Sequence, residues 1–393
     1  MELTNKQQQG LNEALRRYHD GDKYVTIAGY AGTGKTTLVK FIIAALDVDE
    51  DSVAYASYTG KAAEVLRKKG NKNAMTLHRL LYDSIPRPGG GFFRKPKSNL
   101  DYTIVVVDEV SMVPRSMIEM LLRHKVFVIF LGDPGQLPMI DKNESHDYLQ
   151  HPHVFLDEVM RQATESEIIQ LTMKIRNGES ISFTKGNEVM VIPKKDLVTG
   201  HLLWADNIIC ATNATRHGIN KQVRELLGYE GELCPKEKII IKRNYWEDCN
   251  EDGDALVNGT VGIVDNIFES MIQLPGYIKN DRHRIPTIMA EFIPDKGKTF
   301  GAIDFDKDFM LNETPCVDWR VAYQVGKLRN KLGDILPKQA TYGYALTCHA
   351  SQGSEWDNVL VIEESFPFVK EEHKRWLYTA ATRAAEKLVL VRD

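Results

Sequence analysis

The sequence predicts an α/β protein organised around parallel sheets, with a β-rich module set into its second half. Three observations carry that expectation. Residues 24–39, YVTIAGYAGTGKTTLV, read as a β-branched strand, a glycine-rich loop and the start of an apolar helix. Two further apolar runs, IVVVDEVSM at 104–112 and VFVIFLGDPGQLPMI at 126–140, end in acidic or polar residues. Strands of open α/β sheets carry such residues where ligands bind at their carboxyl ends. After residue 234 the pattern changes to short β-like runs, KEKIIIKRNYW, ALVNGTVGIVDNIF, MIQLPGYI and IPTIMAEFIP, broken by Asn-Gly, Pro and Asp.

The first element is the most specific. Gly29-x-x-x-x-Gly34-Lys35-Thr36 lies between a strand and a helix, the context a phosphate-binding loop requires. Gly29, Gly32 and Gly34 let the backbone N–H groups of the loop, with Thr33 and Thr37, turn around phosphates at a helix N-terminus. Lys35 suits the β- and γ-phosphates, and the Thr36 hydroxyl suits Mg²⁺. In the second element the four β-branched residues 104–107 predict a buried parallel strand. Asp108 at its end suits Mg²⁺ held through water, and Glu109 suits the base that orients an attacking water. The third strand leads into a Pro/Gly turn carrying Gln136, an amide placed to sense the γ-phosphate. ATP and Mg²⁺ are therefore the expected cofactors.

Length and composition bound the rest. A chain of 393 residues predicts two to four domains, and 43% hydrophobic with 26% charged residues is a globular profile. No apolar stretch reaches the roughly 18 residues that span a bilayer, and MELTNKQQQG is not a signal pattern. An intracellular, cytoplasmic protein without membrane contact is expected. Five scattered cysteines without zinc spacing argue against a structural metal or a disulfide framework. The net charge of −4 argues against coating nucleic acid by bulk charge, while leaving room for a local basic track.

Further motifs narrow the class. LTNKQQQGLNEAL, AYASYTGKAAEVL (54–66), AMTLHRLL (74–81), DEVSM, GDPGQLPMI, LDEVMRQATESEIIQL (156–171), YALTCHASQGSEWDNVLVI (344–362) and LYTAATRAAEKLVLV (377–391) occur in this order. In that order the sequence strongly resembles superfamily 1 DNA helicases of the RecD-like branch, including the small phage Dda-type enzymes. Two departures stand out: Ser57-Tyr58 where Ala-Pro is usual, and Met139 where a second proline is common. The resemblance implies two RecA-like P-loop lobes with ATP between them. It also implies adenine reading by Gln7, ribose contact by Glu355, and arginines Arg161 and Arg383 that stabilise charge on the γ-phosphate.

For the nucleic acid, the resemblance places Thr59, Lys61, Thr76 and His78 of the first lobe on a single-strand track. Thr212, Asn213, Thr347, His349 and Ser351 would continue it on the second lobe. The implied activity is ATP-dependent unwinding by a motor moving 5′-to-3′ on single-stranded DNA. The alternatives are a translocase that remodels protein–DNA complexes and a RecD-type subunit of a nuclease or recombination complex. Expected partners are single-stranded DNA, duplex junctions, and single-strand-binding or replication proteins, in roles in replication, recombination or repair. Intact Lys35, Asp108, Glu109, Gln136 and both arginines argue against a dead subunit, and a free-standing monomeric motor is expected.

The expected layout is a first lobe over 1–150, a second over 151–233 and 336–393, and an inserted SH3-like β-barrel over 234–335. Residues 82–103 contain GGGFFRKPK, too rich in Gly, Pro and charge for a core element. By resemblance this interval is a pin hairpin at the duplex junction. Side chains alternate along a strand, so one of Phe92 and Phe93 would anchor the hairpin and the other meet the fork.

Overall fold

The computed structural model describes residues 3–393 apart from 87–91, 140, 142, 161–162, 252–254, 277–282, 296, 318–320, 323 and 326–334. The chain divides into two compact units. One comprises residues 1–81, 97–216 and 346–393, and the other 82–96 and 217–345.

The first unit is built on two six-stranded sheets. The first sheet runs in the order Ala74–Thr76, Val53–Ser57, Ile104–Val107, Phe127–Gly132, Tyr24–Gly29, Val154–Leu156, and every pairing is parallel. Its central strands are apolar without alternation because both faces are covered: all of 104–107 and 127–132 are buried. Val25, Ile27, Leu38, Ile42 and Ile129 lie in one core between the sheet and its helices. The leading helix, Asn5–His19, starts with a capping box in which Thr4 Oγ1 accepts from Gln7 N and Gln7 Oε1 accepts from Thr4 N. Val154 pairs with Ile27, so the first layer runs past the expected limit of 150 and is completed only at Leu156.

The second sheet has the order Ala345–Thr347, Asn207–Cys210, Trp356–Ile362, Ala384–Arg392, Val189–Pro193, Thr184–Lys185. Its interior pairings are parallel, and Thr184–Lys185 adds an antiparallel edge. Helix Lys370–Ala381 connects its two longest strands and buries Trp376, Leu377, Tyr378, Thr379, Ala380 and Ala381.

The second unit contains the β-rich insert. Phe300–Asp306, Arg284–Pro294, Val261–Gln273, Lys238–Ile241 and Ala340–Tyr342 form a five-stranded sheet in that order. Its two ends meet: Asp306 N donates to Lys338 O at 2.8 Å and Lys338 N to Asp304 O at 2.7 Å, closing the sheet on itself. Ile239, Ile241, Phe292, Phe300 and Phe305 fill the interior. At Gly262 a Cβ would lie 2.3 Å from the Ile293 carbonyl oxygen, so the close approach of these strands requires glycine. The strand 340–342 belongs to this sheet by its pairing with 239–241, which carries the module beyond the expected end at 335. Segment 295–335, unassigned by pattern, supplies strand Phe300–Asp306 and helix Lys307–Asn312. Residues Tyr82–Pro86 and Phe92–Pro96 form an antiparallel hairpin with Ile85 opposite Phe93. The side chains of Phe92 and Phe93, and the turn at 87–91, lie outside the described residues.

Candidate active site

The glycine loop follows strand Tyr24–Gly29 and opens helix Lys35–Ala45. Gly32 and Gly34 have φ of +75° and +77°, a left-handed geometry that L side chains rarely adopt. Thr33 is buried and its hydroxyl donates to Tyr30 O at 2.9 Å, bracing the turn. The Lys35 ammonium donates to the carbonyls of Gly29 and Tyr30 at 2.7 and 3.0 Å. A cation hydrogen-bonded to two neutral carbonyls, at the N-terminus of an eleven-residue helix, fits a polyanion such as a triphosphate. Thr36 and Thr37 occupy the first turn of the same helix.

Asp108 and Glu109 follow the strand Ile104–Val107. Asp108 Oδ1 accepts from Glu109 N at 2.9 Å, and Glu109 has φ +52° and ψ +47°. A non-glycine residue there is strained by about 1 kcal/mol or more, and such strain collects at functional sites. Burial, and then the charge of Glu109, push the Asp108 carboxyl above its ordinary range, while Lys35 pulls it back. A hard oxygen donor set of Thr36 and Asp108, with a carboxyl short of compensating charge, fits Mg²⁺. With its amide oxygen toward Arg383, Gln136 donates to Glu109 Oε2 at 3.3 Å and accepts from Arg383 Nη2 at 3.2 Å. One amide thus joins a first-sheet carboxylate to a second-sheet arginine.

Arg383 is buried and fixed by its own surroundings. Its Nε donates to Thr379 O at 3.1 Å and its Nη1 to Ser354 O at 3.2 Å. Helix 370–381 also grips the first lobe directly. The Tyr378 hydroxyl donates to Asp133 Oδ2 at 2.6 Å and accepts from Ala31 N at 2.9 Å. Leu137 N donates to Thr379 Oγ1, and Gln352 Nε2 donates to Leu137 O, both at 2.8 Å. Burial raises the Asp133 carboxyl, opposed by Lys35 and by the Tyr378 hydroxyl. Burial, and then the charge of Asp133, push the Tyr378 phenol far up. Tyr378, Asp133 and Thr379 were not singled out by sequence reasoning. The available signal was a tyrosine inside a buried helical run, whose hydroxyl must find a partner.

Other expected site residues divide into two groups. Gln7 is buried, and its amide is committed to Thr4 N and to the Thr33 carbonyl, so in this structure it braces the glycine loop. Glu355 is exposed, and Arg161 lies outside the described residues. Thr59 and Thr76 accept from Ala62 N and Arg79 N, both at helix starts. Lys61 is buried, with its ammonium 6.0 Å from the Trp356 ring centre. His78 lies 5.9 Å from the Tyr58 ring. Thr347 precedes the short helix Cys348–Ser351, which carries His349, held below its ordinary pKa by burial. Other expected contacts are likewise engaged within the protein, as small polar residues at turns often are. Ser351 is fully buried and donates to Cys348 O. The Thr212 hydroxyl meets Glu364 Oε1 at 3.0 Å, and Asn213 Oδ1 accepts from Arg216 Nε at 3.1 Å.

A parallel sheet ending in a glycine loop, faced by an arginine from a second parallel sheet, is the arrangement of a P-loop nucleoside-triphosphatase. Residues 2–191 match the family described as AAA domain, and 342–391 match the UvrD-like helicase C-terminal domain. The chain is 26% identical to the ATP-dependent RecD2 DNA helicase of Deinococcus radiodurans, over 98% of this chain and 49% of that protein. It is 32% identical to protein R530 of Acanthamoeba polyphaga mimivirus, over 98% and 99% of the two chains. The chain belongs to the RecD-like branch of the superfamily 1 helicases. It is 30% identical to the ATP-dependent DNA helicase dda of Enterobacteria phage T4, over 45% of this chain and 43% of that one. The chain spans about half the length of RecD2 and less than half of dda in these matches. A structure of Pif1 helicases at forked double-stranded DNA shares the fold, with a TM-score of 0.53 at 20% identity over 99% of this chain and 92% of that one.

Proposed function

We propose that the chain is an ATP-dependent DNA helicase that moves 5′-to-3′ on single-stranded DNA, with ATP bound where the glycine loop faces Arg383. The observation that carries this reading is the placement of Gln136 between Glu109 and Arg383, where one amide turned with its oxygen to the arginine would bond both. Hydrolysis would use these residues in defined roles. Lys35 would leave the two loop carbonyls for the phosphates. Thr36 and Asp108 would hold Mg²⁺, which when bound screens phosphate charge. Glu109 would orient and deprotonate the attacking water. Arg383 would neutralise charge growing on the γ-phosphate, and loss of that charge would be felt at Gln136. Because Arg383 and Tyr378 lie on the helix of the second lobe and its exit, the nucleotide state would become a change in lobe spacing.

Thr59, Lys61, Thr76, His78, Thr347 and His349 would line the strand's path, and Thr212, Asn213 and Ser351 would shape it. Hairpin 82–96 is proposed as the pin, and the closed insert as an SH3-like barrel. Gln7 and Arg161 are proposed to border the nucleotide, with Glu355 toward the ribose. A monomer working in the cytoplasm, alongside single-strand-binding or replication proteins, fits this reading. The test is unwinding of duplexes bearing a 5′ or a 3′ tail, of DNA or RNA, with and without ATP. ATP-dependent separation of the 5′-tailed DNA duplex is expected. Equal activity on both tails would overturn the polarity, and no ATP-dependent separation of any substrate would overturn the reading.

A further inference from the structure

Loop 363–369 joins strand Trp356–Ile362 to helix Lys370–Ala381 and presents two aromatic rings to solvent. Phe368 is 83% exposed and Phe366 is 44% exposed, and their rings sit edge-to-face with centres 5.6 Å apart. An edge-to-face pair is a preferred aromatic geometry. The pair therefore presents a shaped apolar surface without burying itself, and the structure offers these rings no other cover among its described hydrophobic clusters.

The position of the loop says what that surface meets. Strands Asn207–Cys210 and Trp356–Ile362 are parallel neighbours, so their carboxyl ends lie on one edge of the sheet. Ala345–Thr347 is the next neighbour of Asn207–Cys210. Cys210 Sγ lies 3.5 Å from Leu346 O, which brings the ends of these two strands together. That edge therefore carries Thr347 and His349, then Thr212 and Asn213, then the loop with Phe366 and Phe368. Glu364 ties the last two together. Its carboxylate accepts from Ala211 N at 2.5 Å, from Thr212 N at 3.1 Å and from the Thr212 hydroxyl at 3.0 Å.

Charge is the obvious objection, because the loop has acidic neighbours. Most are satisfied internally. Glu363 is bound by Arg392 at 3.0 Å and His373 at 2.9 Å, Glu364 by the donors above, and Glu371 by Lys374 at 2.6 Å. Glu372 remains an exposed carboxylate, balanced by exposed Lys370 and Arg375 on the same helix. Such a surface gives phosphates little net attraction or repulsion, and leaves base faces as the contact that Phe366 and Phe368 can make.

We propose that Phe366 and Phe368 form a base-stacking platform for single-stranded DNA, extending the track beyond Thr212 and Thr347. This inference rests on the helicase reading. Base–aromatic stacking is strong enough that losing one ring weakens binding by roughly tenfold, and it tolerates any base.

The test compares a base-bearing oligo-dT with an abasic oligonucleotide of equal length, binding to the full chain and to Phe368→Ala, Phe366→Ala and Phe368→Trp. Thermal melts check that each variant is folded. Wild type should prefer oligo-dT. Phe368→Ala should lose roughly tenfold in Kd for oligo-dT and little for the abasic strand, and Phe366→Ala a smaller factor in the same pattern. Phe368→Trp should retain affinity, with indole emission quenched on binding. Wild-type affinity of both alanine variants for oligo-dT would overturn the platform, and equal losses on both strands would do the same. If the wild type itself bound no single strand, the helicase reading would fall with it.

Discussion

Two carboxyls at strand ends of the first lobe and one clamped carboxylate of the second are held in opposite ways. In the first lobe Asp108 and Asp133 sit at strand ends where burial raises them, and Lys35 is the cation that partly compensates both. In the second lobe Glu167 accepts from the backbone N–H groups of Asn187, Glu188 and Val189 and is held below the ordinary range. Raised carboxyls are groups whose charge awaits a partner. Lowered ones already have theirs. The difference teaches a division of labour: Asp108 and Asp133 beside Lys35 keep a buried polarity that is only partly compensated, whereas Glu167 is already satisfied by three backbone N–H groups and serves to hold its loop in place.

Removing the first lobe's cation should break that contrast most sharply. Lys35→Ala is expected to cut DNA-stimulated ATP hydrolysis roughly a thousandfold or more, with the fold retained, checked by phosphate release and circular dichroism. Arg383→Ala tests the second lobe's contribution. Steady-state hydrolysis should fall by roughly a hundredfold to a thousandfold, mainly in kcat. Residual activity near wild type would mean that the arginine only packs. Tyr378→Phe keeps the ring and removes one hydroxyl. A fall of about tenfold in DNA-stimulated kcat, with KM for ATP within about twofold, is expected if the hydroxyl positions the helix. Paired with Asp133→Asn, the double variant should lose little more than the stronger single, because both remove the same bond.

The smallest effect belongs to the Glu167 clamp. Its lowered carboxyl contributes stability that is present above the unfolded glutamate value and lost as pH falls through the folded one. Melting temperatures of wild type and Glu167→Gln should therefore differ at neutral pH and converge in acid. A gap that widened on acidification would show that the clamp does not work through ionisation.

How much of this was legible in the sequence depended on the range of the interaction. The glycine loop is local: positive φ at Gly32 and Gly34 and the following helix are written within a few residues. The apolar runs of 104–107 and 127–132 announced buried parallel strands for the same reason. Module boundaries were missed by several residues because Val154–Leu156 and Ala340–Tyr342 are strands only by virtue of their partners. Tyr378 was silent because its partner Asp133 lies 245 residues away along the chain. Glu364 was silent because it meets Thr212 across 152 residues. Gln7 shows a subtler limit. Its motif was recognisable, but that its amide would be spent on Thr4 and Thr33 is a fact of packing.

The ring closure at Lys338 has a consequence for how this architecture can change. Lys338, just before the strand 340–342, bonds to Asp304 and Asp306 of the strand at the other end of the sheet, so those backbone groups are not free to recruit a foreign strand. Loops of the insert away from 304–306 and 338 can therefore change length or sequence without unpairing this seam, whereas a change at the seam would bare strand backbone able to adhere to another chain.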